Sequence, residues 1–238
     1  MRNFYLILLL LGLTACNKSQ LPEARPEQFT LHFTSGGGMT PLSEQLQLSE
    51  SDSFYGYFYS GVNVQIHFEV DGAGLDGLYQ TVRDNRFDQI ESREELVYDR
   101  GGESVTIQFG SESYQVADAG IRFVKSAWAD EWGNVLAAIY QVYALDPAGM
   151  PIVLSWDNGL GSWQVVLDLG NNFAGASPAP TMNRLQFLVY QATPIELTVQ
   201  NPDLTNAVNH FTLEPATMSG VHFSLAPAGQ LSFQPIAK

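Results

Sequence analysis

Trp156 and Trp163 bracket the six residues Asp157 to Ser162, and they are the side chains best suited to hold a ligand. If Gly159-Leu160 forms a two-residue hairpin turn, the indoles face each other across it as a stacked pair. Such a pair suits the apolar face of a sugar ring. If Asn158-Gly159 is the turn instead, the register slips by one on each arm and the pair is lost; two core tryptophans are the competing reading. Four histidines follow in interest. His32 and His67 alternate outward from apolar strand faces, whereas His210 and His222, if placed on neighbouring strands, could form a metal or proton-transfer pair. No carboxylate stands beside them at ligand spacing. A glycosidase needs two facing carboxyls within about 5–10 Å, and Asp157 and Asp168 are candidates that spacing alone does not bring together. Asp157-Asn158-Gly159 lacks the further ligand positions of a calcium loop and reads more simply as a turn.

The familiar catalytic patterns are missing. The chain has no Gly-x-Ser-x-Gly elbow, no His-Glu-x-x-His and no phosphate loop with its lysine. Gly36-Gly37-Gly38 is followed by no helix, so a dinucleotide loop fails and a strand connection fits better. No catalytic residue, metal site or cofactor is assigned.

The elements that carry these residues are legible in the periodicity. Phe29, Leu31 and Phe33 alternate with polar neighbours, as half-buried strands do. A second strand holds Leu42, Leu46 and Leu48, with Glu44 the one lapse on its apolar face. The aromatic run Phe54 to Tyr59 suits a third, leaving outward rings that could mark an interaction surface. Val62, Val64, Ile66, Phe68 and Val70 make the cleanest alternation. The period then changes: Leu75, Leu78, Tyr79 and Val82 form a helical stripe, predicting a helix from about Gly74 to Asn85. A hairpin is expected from Glu95–Tyr98 through Asp99–Gly102 to Val105, Ile107 and Phe109, followed by a turn into Tyr114 and Val116. A second helix is expected from Lys125 to Tyr143, with Trp128, Trp132, Val135, Leu136, Ile139 and Val142 on its apolar stripe.

After Asp146-Pro147-Ala148-Gly149 no helical period remains. Seven short strands are expected at Ile152–Trp156, Trp163–Leu169, Leu185–Tyr190, Ile195–Val199, His210–Leu213, Val221–Leu225 and Leu231–Phe233. The expected fold is therefore an α+β domain over residues 29–146, built of antiparallel hairpins with two helices. An all-β, sandwich-like domain over 150–238 would follow it.

The N-terminus carries the most specific pattern. Arg2 precedes an apolar run from Phe4 to Leu13, which closes on Leu13-Thr14-Ala15-Cys16. That is the layout of a secretory signal, and the run is too short for a span of ~20 apolar residues. Leu-Thr-Ala-Cys resembles the lipobox of bacterial lipoproteins, in which the thiol receives a diacylglyceryl group and the signal is cut before the cysteine. The resemblance covers the leader alone. It implies a signal peptide over residues 1–15, acyl chains such as palmitate on Cys16, and a membrane anchored through lipid. Asn17, where an aspartate would favour the inner membrane, leans toward the outer one. Residues 16–28 read as a flexible tether. The soluble part is similar in layout to uncharacterised bacterial lipoproteins.

Cys16 is the only cysteine, so neither a disulfide nor a cysteine-based metal site can form within the chain. The net charge is −14; loss of Arg2 with the leader leaves 10 basic against 25 acidic residues, or −15. A chain this acidic is repelled by phosphate backbones, which excludes nucleic acid, and the acyl group becomes its expected membrane contact. The expected role is a non-catalytic binding or assembly lipoprotein of the envelope, partnered by another envelope protein or a glycan. A glycan hydrolase with an unrecognised carboxylate pair is the alternative.

Overall fold

The computed structural model describes residues 19–38, 40–177, 181–205, 207–225 and 230–238. Cys16, expected as the anchor, lies outside them. Strand β1 (Thr30–Gly37) pairs with β2 (Thr40–Leu48), β2 with β3 (Ser53–Tyr59), and β3 with β4 (Val62–Phe68), all antiparallel. In β4, Val62, Val64, Ile66 and Phe68 are buried while Asn63, Gln65 and His67 are half-exposed, as strict alternation requires of a sheet with one wet face. The β3–β4 connection is the pair Ser60-Gly61 with φ of 51° and 84°, the two positive values that a tight hairpin turn needs.

Helix α1 (Gly72–Asp84) starts where the Asp71 carboxylate accepts from Gly74 N at 2.6 Å and satisfies one of the unpaired N–H groups of the first turn. Its buried stripe is Leu75, Leu78, Tyr79 and Val82, as the spacing predicts. Short β5 (Ser92–Glu94) pairs with β8 (Arg122–Val124), apart from the main sheet. Strand β6 (Gly101–Phe109) joins β1 on one side and β7 (Glu112–Asp118) on the other. Both edges of β6 are thereby taken, so Glu95–Tyr98 does not pair with it and is a loop, contrary to the expected hairpin arm. A 3-10 turn (Ser126–Trp128) leads into α2 (Ala129–Tyr143), which buries Trp132, Val135, Ile139 and Tyr143.

The second half supplies β9 (Met150–Trp156), β10 (Gln164–Gly170), β11 (Phe173–Ala176), β12 (Arg184–Val189), β13 (Ile195–Gln200), β14 (Val208–Leu213), β15 (Met218–Leu225) and β16 (Leu231–Ala237). All seven expected strands are present; β11, whose Phe-Ala-Gly-Ala carries little alternation, is an eighth. The fold is β-rich and sandwich-like, but the split into two domains at 146/150 is not confirmed. Strands β10, β13 and β14 extend the first-half sheet into nine strands, ordered β14-β13-β10-β4-β3-β2-β1-β6-β7. The join is β10 lying parallel to β4, Val165 against Val64 and Leu167 against Ile66. The other five form a second sheet, β11-β12-β9-β15-β16, in which β9 runs parallel to β15.

Ring contacts show what covers the large sheet. Helices cover one part: Tyr79 packs on Phe29, Tyr140 on Phe33 and Tyr143 on Tyr55, with centroids 5.0–5.5 Å apart. The small sheet covers the rest through Trp156 on Tyr57, Phe173 on Phe68 and Phe233 on Phe211. One continuous hydrophobic cluster, from Leu21 to Phe223, fills the space between.

Residues 19–28, expected as the distal part of a flexible tether, are instead fastened to the fold. Leu21 is 4% exposed. Ser19 Oγ and Gln20 N donate to the Asp88 carboxylate at 2.6 and 2.8 Å, and Tyr79 Oη donates to Pro22 O at 2.8 Å. Arg25 forms ion pairs with Glu50 and Asp76 at 2.7 and 2.6 Å. A polar, proline-bearing stretch reads as a tether from composition; its single buried leucine and its arginine fork are what hold it down.

Candidate functional site: an apolar cleft with an acidic mouth

Six elements meet around one cleft. Strand β2 ends in it at Leu48 and β4 at Phe68; α1 contributes Gly74, Leu75 and Leu78, and the last turn of α2 contributes Val142. Phe173 opens β11, and Tyr190 follows β12. The cleft has a volume of about 360 Å³, within the range of small-molecule sites, and its floor is aliphatic and aromatic.

The mouth is polar. Glu69, Asp71 and Asn171 stand around it and are exposed. Asp71 is occupied as the α1 cap. Tyr190 is held in place by donating to Asp146 Oδ2 at 2.7 Å. The Ala148 amide and then Tyr190 hold the Asp146 carboxyl below its usual value. Phe173 lies stacked on Phe68, centroids 4.4 Å apart, and fixes the wall between the sheets. Chemically this arrangement admits an apolar body and favours a neutral or cationic head over an anionic one.

The residues singled out in the sequence lie elsewhere. Trp156 and Trp163 are 2% and 3% exposed. They belong to different layers, Trp156 ending β9 in the small sheet and Trp163 preceding β10 in the large one, so no hairpin joins them. Trp156 stacks on Phe223 at 5.7 Å. The expected sugar platform is therefore replaced by core packing, because the Asp157–Ser162 link crosses between sheets. Asp157 follows β9 of the small sheet, whereas Asp168 lies on β10 of the large one. Asp168 lies beside His67 in the β4–β10 pairing, at a small hollow also lined by Asp52 and Glu69, where His67 Nδ1 is 3.3 Å from Asp52.

His210 and His222 are not a pair: His210 is on β14 of the large sheet and His222 on β15 of the small one. His222 has partners that spacing did not suggest. Its Nδ1 is 3.0 Å from Ser155 Oγ, and its Nε2 is 3.3 Å from Asp157 Oδ1. Ser155 and His222 sit directly opposite each other in the parallel β9–β15 ladder. The order Ser–His–Asp suits a nucleophile with its base. Acyl transfer also needs free N–H donors for the developing oxyanion. Here β9 is flanked by β12 and β15, and the next amides are engaged, Trp156 N by Asn183 O and Asp157 N by Phe223 O. Among the described residues no group of three or more His, Cys, Asp or Glu is placed to hold a metal ion, and no helix is long and apolar enough to cross a membrane.

Leu48, Phe68, Leu75, Leu78 and Val142 were legible as apolar positions of separate elements, whereas Phe173 on the unexpected β11 was not; their convergence was not legible either, since no motif encodes it. A scan against protein-family models and a search of curated proteins both find no match.

Proposed function

We propose that the chain is a bacterial envelope lipoprotein, anchored at the outer membrane by acyl chains on Cys16. Its folded part would be a non-catalytic binding module that takes an apolar small molecule, or the apolar end of a larger envelope ligand, into the cleft around Phe68 and Leu78. The observation that carries the binding role is the open apolar floor beneath an acidic rim. A glycan hydrolase finds less support, because Asp157 follows β9 of the small sheet while Asp168 lies on β10 of the large one, and the two amides that follow Ser155 are engaged by Asn183 O and Phe223 O.

The binding role is tested with N-phenylnaphthylamine, a neutral apolar dye that brightens when taken out of water. Wild type should bind it saturably. Val142→Trp, which fills a half-buried wall position, should abolish the signal while leaving the circular dichroism spectrum and melting temperature intact. Undiminished dye binding in a folded Val142→Trp protein would remove the cleft as the site. The anchor is tested separately by Cys16→Ser, which should remain uncleaved and unlabelled by radioactive palmitate; normal processing of that variant would end the lipoprotein reading.

A further inference from the structure

We infer that the loop carrying Leu96 and Tyr98 is a second membrane contact, an apolar tip that enters the lipid interface beside the acyl anchor; this rests on the lipoprotein reading. Leu96 is 77% exposed and Tyr98 85%, and exposed Ile121 adjoins them, since Glu95 N donates to Ile121 O at 2.8 Å. Large apolar side chains this bare, grouped on one loop, mark an interaction surface. The loop is also pinned. Its two flanking arginines, Arg93 and Arg100, lie over the Phe123 ring at 5.3 and 4.1 Å from the centroid. Arg93 further pairs with Glu95, and Arg100 with Asp118.

The occupant follows from where the chain is tied. Ser19 and Gln20 are fastened to Asp88. Cys16 is three residues earlier, a reach of at most ~11 Å, so an acylated Cys16 holds Asp88 close to the bilayer. Leu96 is eight residues beyond Asp88, at most about 29 Å along the chain, and the intervening segment includes β5. Charge does not drive the approach. Glu95 and Asp118 are paired with arginines, and Arg122 makes no ion pair among the described residues. Glu94 and Asp99, however, are exposed acids beside the apolar pair and must stay on its wet side. A tyrosine and a leucine at headgroup depth suit an interface that is apolar on one side and wet on the other. The contact is thus apolar insertion and does not require anionic lipid.

The test uses the acylated full chain in vesicles of phosphatidylethanolamine and phosphatidylcholine. With Cys16 acylated, Tyr98→Cys carries the sole free thiol for a nitrobenzoxadiazole dye. Nitroxide-bearing lipid should quench that dye several-fold more than the same dye at Asp203→Cys, with little change in high salt. Leu96→Asp combined with Tyr98→Asp should remove the quenching read at Ile121→Cys; these exposed positions leave the core untouched. Flotation with vesicles but equal quenching at 98 and 203 overturns this face alone. Dye burial only on adding envelope proteins identifies a protein occupant and also overturns it. A chain that neither floats nor carries acyl groups overturns the anchor, and this face with it.

Discussion

Glu44 interrupts the apolar face of β2, and the structure shows what accommodates it. The residue is 7% exposed, and Tyr55 Oη donates to its carboxylate. Burial raises the Glu44 pKa, offset only in part by that hydrogen bond. Burial and the neighbouring Glu44 charge push the Tyr55 hydroxyl up as well. The folded protein therefore keeps the Glu44 proton at pH values where the unfolded chain has released it. Stability from this group is greatest below the ordinary glutamate range and falls as pH rises toward the raised value. Glu44→Gln should flatten that decline, read as melting temperature across about pH 4 to 8, with the variant no less stable than wild type at the upper end. The adjacent Tyr143 hydroxyl is buried with no hydrogen-bond partner among the described residues. Tyr143→Phe should accordingly stabilise by about 1 kcal/mol, whereas Tyr55→Phe, which strands the carboxylate, should cost roughly 1–3 kcal/mol; urea titrations of the two variants would separate them.

At the scale of elements, the segment from Ser19 to Gln28 behaves as part of the fold. Leu21→Ala should cost about 2 kcal/mol or more, the usual loss for a buried leucine, and should speed amide exchange in α1, against which the segment lies. A loose tether would show neither effect in a denaturation curve or exchange map. The β3–β4 turn is similarly tied in. A Cβ on Gly61 would stand 2.3 Å from Gly161 O, at a φ of +84°. Gly61→Ala thus meets both a steric and a conformational penalty, and should destabilise by more than the ~1 kcal/mol expected of an unfavourable backbone alone. The partner in that contact is the link that carries the chain from the small sheet to the large one.

For the molecule as a whole, the parallel contact of β10 with β4 builds one large sheet from strands of both halves of the sequence. Thermal and urea unfolding should each show a single transition, followed by both tryptophan fluorescence and far-ultraviolet circular dichroism. Residues 29–146 expressed alone should fail to melt cooperatively, because β4 would present an unpaired edge and the aromatic face of β3 would lose Trp156. Two separated transitions, or a cooperatively melting fragment, would establish a division at residue 146.

Much of this architecture was written locally. Period-two alternation placed β1 and β4, an aromatic run placed β3, short apolar runs between turn signals placed most later strands, and the Leu75–Val82 stripe placed α1 within two residues of its observed limits. Alternation and stripe arise from which side of a single element is wet, and a single element is all that neighbouring residues describe. The Leu-Thr-Ala-Cys run that resembles a lipobox is likewise a local pattern, and a single cysteine leaves no disulfide within the chain whatever the fold. Tertiary structure alone decided which elements became neighbours. The β4–β10 contact joins segments a hundred residues apart, and its hydrogen bonds are made by backbone groups common to every residue. For the same reason Trp156 and Trp163, close in sequence and suggestive as a pair, ended in different layers, while Leu48, Phe68, Leu78, Val142 and Phe173 converged on the cleft. Packing between layers depends on shape and on the order in which strands pair, and neither leaves a periodic trace along the chain.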